Sequence, residues 1–88
     1  MGIQIVNLKR LLRKLSSGSL RNVRFSDMVR LAEAFGFELN RTSGSHHIFV
    51  HAEVPELVNL QEVKGQAKPY QIRQFLRLVE RYNLKMED

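Results

Sequence analysis

The sequence predicts an α+β sandwich, a three-stranded antiparallel sheet with two helices on one face, preceded by an extra N-terminal helix. Three observations predict it. Apolar residues recur at helical spacing over 26–35 and again after Pro69. Between these stretches Phe37 to Arg41 alternates with the period of two that a half-buried strand requires, and 37–51 reads as a hairpin. Glycine and proline fall at the seams, at Gly18, Gly36, Gly44, Pro55, Gly65 and Pro69.

The elements follow in order. Over 5–15, Ile5, Leu8, Leu12 and Leu15 form one helical stripe, with Leu11 beside it and Lys9, Arg10, Arg13 and Lys14 opposite. Ser16-Ser17-Gly18-Ser19 breaks this amphipathic basic helix, so residues 1–22 read as helix and linker and 23–88 as the folded domain. Such a helix docks on the core, binds a partner or touches phosphates, and docking is the default expectation. Ser26 is the candidate N-cap of the next helix, with Asp27 in its positively polarised first turn. Met28, Leu31, Ala32 and Phe35 form its apolar face, and Gly36 supplies a left-handed C-cap.

Phe37 to Arg41 alternates as a strand, Ser43-Gly44-Ser45 turns the chain, and His46 to His51 is the returning strand. Val58 and Leu60 mark a third short strand after a loop at Pro55. A looser segment, 64–68, leads to Pro69 at the first turn of the last helix, whose buried face is Ile72, Phe75, Leu76 and Val79. The resulting α-β-β-β-α order is also that of the double-stranded-RNA-binding fold.

Eighty-eight residues make one domain, which buries only ~60–65% of its unfolded surface. With no cysteine there is no disulfide, no thiolate nucleophile and no thiolate metal ligand, and a reducing compartment is expected. Charges interrupt the N-terminal apolar residues too often for a secretory signal, and no stretch approaches a membrane span. A soluble, cytoplasmic chain is the expectation. Fourteen Lys and Arg against nine Asp and Glu give a net charge of +5, which favours a polyanionic partner such as nucleic acid.

All three histidines lie between Gly44 and His51. His47 and His51 have a spacing that binds zinc on a helix, but on a strand it leaves them about 13 Å apart. A metal site is not expected. Catalysis is the sharper option, because a histidine beside a Gly-Ser turn sits where a ligand can approach and titrates near cellular pH. RNA transesterification needs a base for the ribose 2′-hydroxyl or an acid for the leaving oxygen. The bland alternative is three half-exposed strand residues with no chemistry. Alternation leaves the facing open: if Ile48 and Val50 are core, His46 belongs to the buried face, and if Phe49 is core the assignment reverses.

Phe35-Gly36-Phe37, Arg41 and Gly44-Ser45-His46-His47-Ile48-Phe49 resemble the HicA-type toxins of toxin–antitoxin systems. Val58-Asn59-Leu60 and a closing helix with Ile72-Arg73-Gln74 continue the likeness to Leu84. The resemblance implies the double-stranded-RNA-binding fold for 23–88, metal-independent cleavage of mRNA, and a HicB-type antitoxin as partner. It makes His46, the first histidine after Gly-Ser, the catalytic residue, and implies no cofactor. The chain departs from the family pattern in its 5–15 helix, in having Asn83-Leu84 where Gly-Leu is frequent, and in lacking a histidine near Gln61-Glu62-Val63.

For the RNA itself, Lys64 and Lys68 flank the head of the last helix, where double-stranded-RNA-binding folds hold phosphates. Arg73, Arg77 and Arg81 form a cationic stripe along that helix. The expected site is therefore His46 for proton transfer and Ser45 for orienting the phosphate. Lys64, Lys68, Arg41, His47 and Arg73 would be the backbone contacts. Two competing readings are a non-catalytic RNA-binding module and a protein that acts through its N-terminal helix on an acidic partner. Membrane-surface binding is more remote, because that helix lacks Trp and Phe.

Overall fold

In the computed structural model, which describes residues 7–87, the elements run helix, helix, four strands, helix. They are α1 (Leu8–Ser16), α2 (Phe25–Ala34), β1 (Glu38–Ser43), β2 (His46–His51), β3 (Val54–Val63), β4 (Gln66–Ala67) and α3 (Pro69–Arg81). The strands form one antiparallel sheet in sequence order. The expected α+β architecture with its additional N-terminal helix is therefore the observed one.

Helix α1 is capped by Asn7, whose side-chain oxygen accepts from the Arg10 N–H at 3.0 Å. Ile5 of the predicted stripe lies outside the described residues. Leu11 and Leu15 are buried and Leu8 and Leu12 half-buried, so α1 is docked on the core by its apolar stripe.

Helix α2 begins one residue before the predicted start, and Ser26 is not its N-cap. Arg24 holds that position with an extended backbone and no side-chain capping bond. The sheet sets this start. Arg24 bridges Gln66, the Phe25 N–H donates to the Gly65 carbonyl at 2.9 Å, and the Ala67 N–H donates to the Val23 carbonyl at 2.9 Å. The backbone pairing fixes where the chain leaves extended geometry, and Ser26 is already inside the first turn. At the other end Gly36 has φ +94°, as expected of a left-handed terminator. A Cβ there would lie 2.9 Å from His51 Nε2, so any other residue would have to displace the His51 ring as well as adopt a strained conformation.

The predicted first strand is shifted and more exposed than alternation suggests. Phe37 is buried just before β1, but Leu39 is 51% exposed and every residue of β1 is solvent-accessible. The reason is position: β1 is an edge strand, and α2 and α3 pack over β4 and β3. The loop expected at Pro55 is also corrected, since β3 already starts at Val54. Pro55 falls at the register irregularity between the His51–Val54 and Phe49–Val58 pairs, where its missing N–H does not break a regular ladder. The looser segment forms the short β4, joined to β3 through Lys64 and Gly65, both at positive φ. Two left-handed residues suit the tight turn of a twisted hairpin.

The core lies between the helices and one face of the sheet. Met28, Leu31, Phe37, Phe49, Leu60, Ile72 and Phe75 are almost fully buried there. The Phe75 ring meets those of Phe35 and Phe37 at 5.7 and 5.4 Å. Pro69 is at the start of α3 as expected, and Ile72 and Phe75 are its deepest residues. Its far end is tied to β3 by Glu56, which accepts from the Tyr82 hydroxyl at 2.7 Å and from Arg81 Nη1 at 2.9 Å. The Tyr82 hydrogen bond is the main influence holding the Glu56 carboxyl below its ordinary 4.5, with Arg81 adding to it. The same bond raises the Tyr82 phenol above 10.0. Asn83 then turns the chain at φ +52°, a conformation that asparagine tolerates better than most residues. This is how Asn83-Leu84 replaces Gly-Leu while still burying Leu84.

Candidate functional site

Phe49 settles the facing that alternation leaves open. It is 1% exposed, so β2 turns His47, Phe49 and His51 toward the helices and His46, Ile48 and Val50 toward the open side of the sheet. The ring contacts agree. His47 packs against Phe25 with centroids 4.7 Å apart, and His51 against Phe37 at 5.0 Å. Each also has a backbone partner: His47 Nδ1 lies 3.2 Å from the Ser45 carbonyl oxygen, and His51 Nδ1 accepts from the Glu53 N–H at 3.0 Å.

His46 has different surroundings. Register places Ser43 and Gln61 directly across from it on the neighbouring strands, and Arg41 and Asn59 across from the next residue on its face, Ile48. The open face therefore gathers Arg41, Ser43, His46, Ile48, Asn59 and Gln61. His46 is half-buried, and the edge of the Asn59 amide faces its Nδ1, with Nδ2 at 3.1 Å and Oδ1 at 3.3 Å. Among the described residues, Nε2 has no hydrogen-bond partner.

The hairpin beside it is built to hold still. Gly44, at φ +60°, turns the chain between the paired Ser43 and His46. The Ser45 carbonyl accepts from the Glu62 N–H at 3.0 Å, and its hydroxyl accepts from Gln61 Nε2 at 3.2 Å. The Gln61 N–H, beyond the reach of the two-residue β4, donates to Oε1 of the buried Gln71 at 2.6 Å. Helix α3 thereby supports the part of β3 that supports the turn, and no buried side-chain polar atom among the described residues lacks a partner.

The structure brings some of the sequence-predicted residues together and separates others. Ser45 and Arg41 adjoin His46, one at the turn and one on the same face. Lys64 lies in the turn after β3, two residues beyond Glu62, at the same end of the sheet. Lys68 follows the Ala67–Glu62 pair, so its backbone is two strands from His46, ~10 Å at the usual strand spacing. His47 is on the opposite face from His46. Arg73 lies on the helical layer, in a groove between α1 and α3 with Leu12, Leu76 and Arg77. Arg81, the last of the cationic stripe, is paired with Glu56.

Asn59, Gln61 and Gln71 were not singled out by the sequence. The signal was present for two of them, because period two places Asn59 and Gln61 opposite the buried Val58 and Leu60. Only the β2–β3 register shows that they lie beside His46.

The arrangement offers one imidazole with a single free ring nitrogen, on an accessible face that also carries Arg41 and beside a Gly-Ser turn. Such a group can move a proton for a bound anion. Among the described residues no helix is long and apolar enough to cross a membrane. No match was found among curated proteins or solved structures. A family model described as the HicA toxin of bacterial toxin–antitoxin systems, in contrast, matches residues 25–80, from the start of α2 to the last turn of α3. That span is well over half of the 88 residues and contains the whole sheet and the His46 site, and on this match the chain belongs to the HicA toxin family.

Proposed function

We propose that this toxin is a metal-independent endoribonuclease that cleaves mRNA, with His46 as its proton-transfer residue, and that a HicB-type antitoxin restrains it. The observation that carries the reading is the half-buried His46 on the open sheet face, Nδ1 engaged and Nε2 free. In the cleavage step Nε2 takes the proton of a ribose 2′-hydroxyl, and the resulting oxygen attacks the adjacent phosphorus. The bond to the 5′-oxygen breaks, and that oxygen is protonated by the imidazolium or by water. The products are a 2′,3′-cyclic phosphate and a 5′-hydroxyl. One well-placed histidine contributes ~10²–10⁴-fold to such a step.

Arg41, on the same face as His46, would offset the phosphate charge, and Ser45 at the turn would orient it. Lys64 and Lys68 extend the cationic surface along the strand ends and hold the backbone without reading sequence. His47 and Arg73, on the other side of the sheet, contribute through structure and long-range field.

The test is cleavage of RNA in EDTA by the purified chain beside His46→Ala. Cleavage by the parent alone, with RNA affinity and fold retained in the variant, supports the reading. Equal cleavage by both would sink it. A second reading, a binding module without chemistry, draws on the neighbourhood of His46: Ser43, Asn59 and Gln61 beside it are neutral, and no second histidine shares its face. That reading predicts salt-sensitive binding and no cleavage products.

A further inference from the structure

A neutral imidazole exists as two tautomers, and only the one protonated on Nδ1 presents Nε2 as a base. A histidine without a partner follows its intrinsic preference, which is for the Nε2–H form. His46 has Asn59, whose amide edge faces Nδ1 with its nitrogen at 3.1 Å and its oxygen at 3.3 Å. A half-turn of that amide exchanges the two atoms, so the side chain can present either one to Nδ1 without moving its backbone. With Oδ1 toward the ring, Nδ1–H donates to it and Nε2 keeps its lone pair. When Nε2 takes a proton, the Nδ1–H to Oδ1 bond stays in place and strengthens, because its donor is now charged.

The surroundings leave this task to Asn59. Strand β3 contributes Asn59 and Gln61 to the face of His46, and both are neutral. Strand β1 contributes Ser43 and the cationic Arg41, which has no lone pair to offer Nδ1–H. Glu62 points to the opposite face, and β2 itself adds only Ile48 and Val50. Gln61 turns its Nε2 to the Ser45 hydroxyl, and among the described residues only Asn59 has an atom within hydrogen-bond distance of His46 Nδ1.

We propose that Asn59 is the positioning residue of His46: its carbonyl oxygen accepts from Nδ1–H, keeps Nε2 as the free base, and stabilises the imidazolium formed during RNA cleavage. The inference rests on the ribonuclease reading for its consequence in rate, but not for its consequence in the ring. Asn59 touches neither phosphate nor ribose and acts only through His46.

The experiment uses the full-length chain, isotopically labelled, as parent, Asn59→Ala and Asn59→Asp. Ring-nitrogen NMR reads the tautomer and the titration of His46, and cleavage of a single-stranded RNA in EDTA is followed against pH. In the parent the neutral ring should be mainly the Nδ1–H form. In Asn59→Ala the Nε2–H form should grow and kcat fall several-fold with KM held. Asn59→Asp should keep the Nδ1–H form and move the ring's titration up by roughly one pH unit, as a carboxylate partner does. The acid limb of the cleavage profile should move with it. Unchanged tautomer and titration in both variants would overturn the assignment, as would a changed ring with an unchanged rate. A parent that cleaves nothing removes the functional reading, and the ring spectra alone then decide whether Asn59 sets the tautomer.

Discussion

His46 and His47 are adjacent in sequence and opposite in environment, one on the open face with a side-chain amide, the other against Phe25. The difference follows from the pleat, since neighbouring strand residues point to opposite sides. It gives the two residues separable roles. His47→Ala removes an aromatic contact and the bond from Nδ1 to the Ser45 carbonyl, 3.2 Å apart. It should lower the unfolding free energy by about 1–2 kcal/mol in urea titrations. Cleavage under stable conditions should remain. Loss of cleavage at unchanged stability would exchange the roles of the two histidines. The sequence already singled out this dipeptide, but not which member faced the helices. That depended on whether Phe49 or Ile48 entered the core, and both are large and apolar. Burial of Phe49 in the core decided it, and no local pattern encodes that choice.

Among the elements, those whose limits depend on their own residues were legible, and those whose limits depend on partners were not. Helix α3 starts at Pro69 and buries Ile72 and Phe75 because its sequence carries both signals. Strand β4 has only two residues and exists because β3 and the segment before α2 lie on either side of it. Arg24 displaced Ser26 as the cap for the same reason. The anchor at the end of α3 is likewise non-local, joining Glu56 to Tyr82 across 26 positions. Its effect on stability has a definite sign. The Glu56 carboxyl is lowered from 4.5 in the folded chain, so its contribution is complete above pH 4.5 and is lost as pH falls through the lowered value. Tyr82, raised from 10.0, contributes below pH 10 and loses that contribution as pH rises further. Glu56→Gln should therefore melt at a lower temperature than the parent at pH 7, with the gap closing as pH falls below 4.5. A gap constant from pH 7 to pH 3 would show that the carboxylate charge contributes nothing there.

For the molecule as a whole, the central question is whether α1, which precedes the family-matched span, is an appendage or part of the fold. Its apolar stripe predicts docking while its basic side offers a surface for partners, and Leu11 and Leu15 lie in the same buried cluster as Leu31 and Phe75. Leu20 and Val23, between α1 and α2, are buried there too, so the connection from α1 to α2 is anchored to the core at two points. A small domain has little apolar area to spare, and a helix that closes one side of its only core is integral to stability. Truncating α1 would therefore confound any test of partner binding, because it opens the core as well as removing charge. Leu15→Ala separates the two effects. Leu15 is 1% exposed, and its truncation should cost about 2–5 kcal/mol. That is a large share of the roughly 4–13 kcal/mol expected for a chain of this size. Because α1 shares the core, far-UV circular dichroism and Tyr fluorescence should lose structure together, in one transition displaced to lower urea. Fluorescence from Tyr70 and Tyr82 reports on the two ends of α3 and circular dichroism on all three helices, so the two probes sample different parts of the fold. An early loss of helical signal, with the fluorescence transition left where the parent has it, would make α1 a separately melting appendage and return its basic face to the status of an independent arm.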